Sequence, residues 1–134
     1  MYQSHETGKV GEELATKYLL EKGYKIIDRN FSCKQGEIDI IALDKDYYVF
    51  VEVKTRTNEH YGKPREAVDE KKKKHIYFSA QYYVNLKHIE NKPIRIDIIE
   101  VYKRKNKYYL NHIKNAIIEK PKKYFCWNNN YKDI

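Results

Sequence analysis

The stretch GEIDIIALDKDYYVFVEVKTR, residues 36–56, decides the fold, because two strand-like apolar runs in it carry charged residues. The charges are Glu37 and Asp39 in the first run and Glu52 and Lys54 in the second. Burying a charge without a partner is costly. The placement of these four side chains on the hairpin therefore has to be explained.

The alternation of side chains along a strand sorts this hairpin into two faces. One face is apolar and carries Ile38, Ile40 and Ala42 from the first strand and Tyr47, Val49, Val51 and Val53 from the second. The other face carries Glu37, Asp39, Ile41 and Leu43, and Tyr48, Phe50, Glu52 and Lys54. This second face is apolar near the turn and charged at the open end. We therefore expect both faces to be covered, with a gap in the cover at the charges.

The length of the turn sets which charges face each other. A turn of two or of four residues pairs Asp39 with Glu52 and Glu37 with Lys54. A turn of three residues would scatter the charges over both faces. The even register is therefore expected, and the absence of an Asn-Gly pair favours the four-residue turn, 44–47.

A facing pair of carboxylates indicates a cation site. Opposed Cβ atoms lie about 4.5–5.5 Å apart, so Asp39 and Glu52 would repel each other and one pKa would rise unless a cation joined them. Mg²⁺ takes oxygen ligands and needs only one or two carboxylates. Lys54, one strand repeat beyond Glu52, could orient a metal-bound water or stabilise developing charge. The alternative is an ordinary cross-strand ion pair between Glu37 and Lys54 on a solvated edge.

The remaining pattern predicts a mixed α/β domain with helices packed on a central sheet of five strands. The periodicity predicts helices over 5–22 and about 65–86, and strands over 24–31, 36–43, 47–55, 94–102 and 108–113. Gly23 marks the end of the first helix. We expect one α/β domain over residues 1–118 and a basic, aromatic C-terminal extension over 119–134.

Composition narrows the function classes. The chain of 134 residues has a net charge of +8, which favours a polyanionic partner, nucleic acid first, although a lysine-rich composition alone could produce it. Cys33 and Cys126 form no CxxC pair, which argues against a cysteine zinc site. No apolar signal-peptide core or bilayer-length apolar run is present, so we expect a cytoplasmic protein.

Several segments together resemble a known family. GKVGEELATKYLLEKGYKII, RNFSCKQGEIDIIALD, VFVEVKTR, YGKPREAVDEKKKK, RIDIIEV and NHIKNAI follow one another from about Gly8 to Ile118. They resemble the YraN-like family of small bacterial predicted endonucleases, within the PD-(D/E)xK superfamily, and more distantly archaeal Holliday-junction resolvases. The resemblance implies a restriction-endonuclease-like fold. Ile38 replaces the superfamily's leading proline, as is usual in the resolvase-like branch.

The resemblance also implies roles for single residues. Asp39 and Glu52 would be metal ligands for Mg²⁺ or Mn²⁺, and Lys54 the catalytic lysine. Glu12, in GKVGE, matches the glutamate of the N-terminal helix in related resolvases and would reach the metal directly or through water; otherwise it is an ordinary exposed helix glutamate. Glu37 is a candidate outer carboxylate.

Basic residues near the open end of the hairpin are candidates for binding DNA. Lys72 aligns with the family's helix lysine, Arg56 and Arg65 lie close to the motif in sequence, and Gln81 is a weaker candidate. Aromatic residues of the extension could stack on bases or dock on the domain. The resolvase similarity suggests branched DNA as a substrate and a homodimer as the working form.

The sequence thus favours a Mg²⁺-dependent endonuclease that hydrolyses phosphodiester bonds in DNA. Selectivity for the structure of the DNA is a candidate property of this enzyme. One alternative is a nucleic-acid-binding module of the same fold that does not cut. Another is a structural protein in which the charges form surface ion pairs.

Overall fold

The structure, a computed structural model, describes residues 4–56 and 70–117. In chain order these form α1 (Ser4–Glu21), β1 (Lys25–Cys33), β2 (Gly36–Asp44), β3 (Tyr47–Arg56), α2 (Glu70–Leu86), β4 (Ile94–Arg104) and β5 (Lys107–Ile113). The expected order of helices and strands is confirmed. The expected start of the second helix near Arg65 and the extension 119–134 lie outside the described residues.

The five strands form one mixed sheet in the order β1-β2-β3-β4-β5. Neighbouring strands are antiparallel except β3 and β4, which are parallel. Parallel neighbours need a crossover connection, and α2 lies in the connection between these two strands. The arrangement is consistent with a restriction-endonuclease-like fold. Within the described residues, neither helix has the length and apolar character needed to cross a membrane.

Each face of the sheet is covered by one helix, as the hairpin pattern predicts. The α1 side buries Ala15, Leu19, Tyr24, Ile40, Ala42, Val49, Val51, Ile99 and Val101. The α2 side buries Ile38, Ile41, Phe50, Ile76, Ala80, Tyr83, Val84, Ile89, Ile96 and Ile117. Gly23 adopts a φ of +95° after α1, and its N–H bonds the Leu20 carbonyl. This left-handed residue ends the helix and turns the chain into β1.

The β2–β3 register is the even one. Pairing runs from Asp44 opposite Tyr47 to Ile40 opposite Val51. The turn contains only two residues, so the expectation of a four-residue turn is wrong. Lys45 itself takes the left-handed conformation, with a φ of +59°, so the tight turn closes without an Asn-Gly pair.

The prediction that Ile38 lies on the same face of β2 as Ile40 is also wrong. Ile38 packs with Ile41 on the α2 side and not with Ile40 on the α1 side. The neighbouring strand supplies the reason, because Asn30 in the middle of β1 has a φ of +53°. A left-handed residue interrupts the strand alternation locally. The register of β1 and β2 on either side leaves Asn30 across from Asp39, where the phase of the side chains changes.

A buried polar network ties β4 to its surroundings on the α1 side. Asp97 is fully buried and accepts hydrogen bonds from the Arg95 guanidinium at 3.0 Å and from the Asn115 backbone N–H at 2.9 Å. His112 Nε2 lies 2.7 Å from the same carboxylate. Burial raises the pKa of Asp97, but the hydrogen bonds with His112, Arg95 and Asn115 outweigh burial, and the pKa is lowered. The network explains Asp97, one of the two buried carboxylates of β4, as structural.

Candidate active site

The charged end of the hairpin lies where β2 and β3 part. The last backbone pair is Ile40 with Val51, and Asp39 and Glu52 are the next residue on each strand. Asp39 Oδ2 accepts a hydrogen bond from the Val53 N–H at 2.8 Å. The Asp39 carboxylate thus satisfies a β3 backbone donor just beyond the paired segment, and this contact anchors it beside the strand that carries Glu52.

The surroundings of Asp39 are unfavourable for a negative charge. Burial is the largest cause and the charge of Glu52 the second, and together they raise the pKa of Asp39 to about 7. The Val53 N–H opposes the rise, the Glu12 carboxylate adds to it, and the Lys72 ammonium opposes it. Two carboxylates share this site, and its positive charges do not fully compensate them.

The positively charged groups of the site lie against Glu52. It is only 7% exposed, and its Oε2 lies 3.2 Å from Lys72 Nζ and 3.6 Å from Lys54 Nζ. Lys54 comes from the same strand and Lys72 from the second residue after the start of α2, so two elements converge on one oxygen. A buried carboxylate needs such partners. The same two ammonium groups would face any phosphate that approached Glu52.

A cleft of about 300 Å³ opens beside the carboxylate pair. It is lined by Gly36, Glu37, Asp39, Glu52, Lys72, His75 and Ile76. A side chain at Gly36 would place its Cβ 3.3 Å from the Cβ of His75. Glycine here lets α2 approach the start of β2 closely. The cleft is therefore walled by the strand that carries Asp39 and by the helix that carries Lys72.

Glu12 reaches the site because α1 lies very close to the end of β3. Gly11 is buried, and a Cβ there would clash with the Thr55 hydroxyl. Glu12 Oε1 accepts a hydrogen bond from Asn30 Nδ2 at 3.2 Å and lies 3.8 Å from an Arg29 guanidinium nitrogen. Its charge acts on Asp39. Glu12 is therefore a half-buried carboxylate beside the pair and not an isolated surface residue.

The structure brings together five of the expected residues: Glu12, Asp39, Glu52, Lys54 and Lys72. Glu37 lines the cleft but is exposed and pairs across to Ser32 of β1. Its expected pairing with Lys54 is not formed between the described strands, because the β2–β3 ladder ends at Ile40 and Val51. Lys54 instead contacts Glu52.

Two further candidates for DNA contact, Arg56 and Gln81, do not line this cleft. Arg56 ends β3, half-buried, opposite Tyr102 of β4. Gln81 is nine residues beyond Lys72 on α2, about half a turn around the helix axis, which explains why the cleft does not include it. Arg65 lies outside the described residues.

Sequence reasoning missed His75, which lines the cleft, and Glu100, a buried carboxylate on the strand next to Lys54. His75 follows Lys72 by three residues on α2 and also lines the cleft. The helical spacing could have indicated it, because residues three apart lie on the same face of a helix. Glu100 is 1% exposed and pairs with Lys54 along the parallel strands, where it accepts hydrogen bonds from Asn111 at 2.9 Å and from Tyr102 at 3.1 Å. Its signal was a second charge in an apolar strand, as in the hairpin.

The donor set suits a hard divalent cation, although it is not closed around one. Across residues 4–56 and 70–117, no three His, Cys, Asp or Glu side chains converge closely enough to form a ready metal site. Asp39 and Glu52 nevertheless offer two carboxylates in one cleft, and its lysines lie against Glu52 and leave Asp39 undercompensated. Mg²⁺ is commonly bound by one or two carboxylates and completes its shell with water and phosphate oxygens. The residues present therefore fit such an ion.

The fold and the site define a class of protein: a restriction-endonuclease-like α/β domain with an acidic pair and a lysine at the point where two strands part. The chain belongs to the Uncharacterised protein family UPF0102, whose model matches residues 11–101. Family membership, expected from the sequence resemblance, is confirmed.

Relatives match along most of their length. A UPF0102 protein of Caldanaerobacter subterraneus subsp. tengcongensis is 52% identical over 112 residues, covering 81% of this chain and 92% of the relative. A UPF0102 protein of Clostridioides difficile is 49% identical over 111 residues, covering 83% and 96%. One of Clostridium acetobutylicum is 47% identical over 113 residues, covering 83% and 93%. None of these names states an activity, so the functional argument rests on the site.

Proposed function

We propose that this protein is a divalent-metal-dependent endonuclease that hydrolyses phosphodiester bonds in DNA. The observation that carries the proposal is the pair Asp39 and Glu52, held together in a cleft where burial and mutual repulsion raise the pKa of Asp39 to about 7. Without a bound cation, this arrangement disfavours the ionised form of Asp39. Carboxylates in clefts whose pKa values are strongly shifted cluster at functional sites.

Asp39 and Glu52 would hold the ion, Mg²⁺ or Mn²⁺, and Glu12 would support it. When bound, such an ion supplies Lewis-acid polarisation of a phosphoryl oxygen and a water of lowered pKa. The hydrogen bond from Val53 fixes one Asp39 oxygen and leaves the other as the oxygen available to a ligand.

The lysines would act on the phosphate. Lys54 Nζ lies 3.6 Å from Glu52 Oε2, close enough to orient a water held near that oxygen or to stabilise negative charge that develops on the phosphate. Lys72 points into the cleft from α2 with a side chain that is 40% exposed. An ammonium that is partly exposed at the rim can meet a phosphate oxygen of the incoming strand.

DNA is the proposed polymer because the protein has a net charge of +8, Lys72 lines the cleft, and Lys54 lies beside it against Glu52. Contacts of lysine with phosphate give affinity without reading sequence, so selectivity would come from DNA shape. Branched DNA is the first shape to examine, and a homodimer would match its two-fold symmetry.

A cleavage panel tests the proposal. Linear, nicked, flapped and four-way-branched DNA, with RNA of the same sequences, would be incubated with Mg²⁺, Mn²⁺, Ca²⁺ or EDTA. We expect cleavage of DNA that needs Mg²⁺ or Mn²⁺ and falls at least about 100-fold in Asp39→Ala and Lys54→Ala. Lys45→Ala, in the exposed turn at the other end of the hairpin, is the matched control and should cut normally. Loss of cutting in Asp39→Ala prepared in the same way would exclude a contaminating nuclease.

Other outcomes would point to the alternatives. A metal-loaded protein that binds these DNAs and cuts none of them is a binding module. Equal cutting by Asp39→Ala and the unaltered protein would refute the site assignment. Calorimetry with no binding of divalent ions, together with no DNA affinity at low salt, would favour a structural role. Light scattering of the protein with and without branched DNA would test the homodimer.

A further inference from the structure

Asn30 has an unusual backbone conformation for a residue inside a strand. Its φ is +53°, although β1 continues on both sides of it. Residues other than glycine seldom adopt the left-handed conformation, and asparagine and aspartate are the ones that tolerate it best. Strained positions of this kind persist where the surrounding structure determines them, and they cluster at functional sites.

The location of Asn30 links it to the carboxylates. Arg29 pairs with Ile40 and Phe31 with Ile38, so Asn30 and Asp39 are the residues left between two paired positions. Asn30 thus lies on the strand next to Asp39, at the place where the alternation of side chains on both strands changes phase.

The side chain of Asn30 makes the second link. Asn30 Nδ2 donates a hydrogen bond of 3.2 Å to Glu12 Oε1. The neighbouring Arg29 is a weaker partner, because it lies 3.8 Å from the same oxygen and directs its other terminal nitrogen to Glu13 at 3.2 Å. Asn30 is therefore the direct hydrogen-bond donor that joins β1 to Glu12.

We propose that Asn30 is a positioning residue that holds the Glu12 carboxylate on the Asp39 side of α1, from where Glu12 would support, through a water, an ion held by Asp39 and Glu52. This inference rests on the proposed function. The left-handed backbone aims the amide at α1, and the amide orients the Glu12 oxygen. Partners of this kind around a metal ligand commonly contribute about 10- to 100-fold in metal affinity.

The chemistry of the side chain explains why asparagine suits this position. Glycine would tolerate the backbone conformation and supply no donor. Aspartate would tolerate it and place a second negative charge against Glu12. A β-branched residue would adopt the conformation only with strain. Asparagine combines tolerance of the left-handed region with an N–H donor.

The test separates the amide from the backbone. Asn30→Gly removes the side chain and keeps a residue that accepts a positive φ. Asn106→Gly is the matched control, because Asn106 has a φ of +65° in the exposed β4–β5 turn. Mn²⁺ affinity would be measured without DNA by calorimetry and by electron paramagnetic resonance, and folding by circular dichroism and thermal melting in EDTA.

We expect Asn30→Gly to weaken Mn²⁺ binding by about 10-fold, and Asn106→Gly to leave it unchanged. Glu12→Gln should weaken binding at least as much, and adding Asn30→Gly to Glu12→Gln should cause little further loss, because Asn30 acts through Glu12. If Asn30→Gly proves less stable than its control, nuclear magnetic resonance gives a second measurement. The side-chain amide signals of Asn30 should shift in Glu12→Gln.

Three results would overturn the inference. They are wild-type Mn²⁺ affinity in a folded Asn30→Gly, full additivity with Glu12→Gln, and Asn30 amide signals that do not respond to Glu12→Gln. Each of these leaves the proposed function standing as long as the unaltered protein binds Mn²⁺. An unaltered protein that binds no Mn²⁺ refutes the proposed metal site and this role of Asn30 with it.

Discussion

Replacing Asp39 by asparagine should stabilise the metal-free protein at pH 8 while abolishing the proposed metal site. Burial and the charge of Glu52 raise the pKa of Asp39 from its ordinary 3.8 to about 7. The folded state then binds more protons than the unfolded state between these values, so stability falls as pH rises through that window. Asparagine removes the charge and keeps an oxygen that can accept the Val53 N–H.

The size of the effect follows from the shift. At about 1.36 kcal/mol per pKa unit, the full rise corresponds to about 4 kcal/mol, of which roughly half falls between pH 5 and pH 7. Relaxation and water entering the open cleft reduce this cost, so we expect Asp39→Asn to gain about 1–2 kcal/mol on the unaltered protein between those pH values. For a domain of this size that is a melting-temperature difference of about 4–8 °C.

Urea denaturation and thermal melting at pH 5, 6, 7 and 8 in EDTA would measure it. Asp46→Asn is the matched control, because it removes the exposed carboxylate of the β2–β3 turn and should leave the pH dependence unchanged. Added Mg²⁺ should raise the melting temperature of the unaltered protein at pH 8 and not that of Asp39→Asn. A stability difference that is constant from pH 5 to pH 8, or a destabilised Asp39→Asn at pH 8, would refute the reasoning.

Three further substitutions have defined outcomes. Gly11→Ala should cost about 1–3 kcal/mol in urea denaturation, because its Cβ meets the Thr55 hydroxyl, and adding Thr55→Ala should restore part of the loss; no recovery would contradict this contact. Asp97→Asn should cost about 3 kcal/mol or more by the same assay, because it leaves the Arg95 guanidinium with less compensating charge; a loss below 1 kcal/mol would contradict the network. Lys72→Ala should reduce the slope of log affinity against log salt for DNA by about 1, equally for unrelated sequences; an unchanged slope would exclude a phosphate contact.

Local patterns were enough to predict the sheet and to place the central residues of the candidate site close together. Alternation along β2 and β3 placed Asp39 and Glu52 at the same end of one face, and the even register followed from keeping the charges together. The contact of Lys54 with Glu52 follows from the two-residue period of a strand. These features depend on neighbours within one hairpin, which a sequence displays directly.

Features that depend on backbone exceptions were not predictable in this way. The side of the sheet on which Ile38 packs was wrong because Asn30, on a different strand, breaks the alternation. The predicted pairing of Glu37 with Lys54 was wrong because the β2–β3 ladder ends at Ile40 and Val51, three positions before that pair. Both errors come from extending an ideal ladder into the region where the protein departs from it to open a cleft. The departure from regular geometry and the candidate site therefore occur at the same place.

The charge balance of the site indicates an order of binding. Asp39 and Glu52 lie together in the cleft, and both nearby ammonium groups, on Lys54 and Lys72, lie against Glu52. The charge of Glu12 adds to the repulsion on Asp39, although the Arg29 guanidinium lies 3.8 Å from Glu12. Without a metal the cleft thus opposes a phosphate, since its cations are engaged and Asp39 is not compensated. A divalent ion would reverse the local balance and release the lysines toward the incoming strand, because their carboxylate partner would then be shared with the ion. On the proposed function, metal binding therefore precedes productive DNA binding, and the cations that stabilise Glu52 in the metal-free protein become the groups that receive the phosphate.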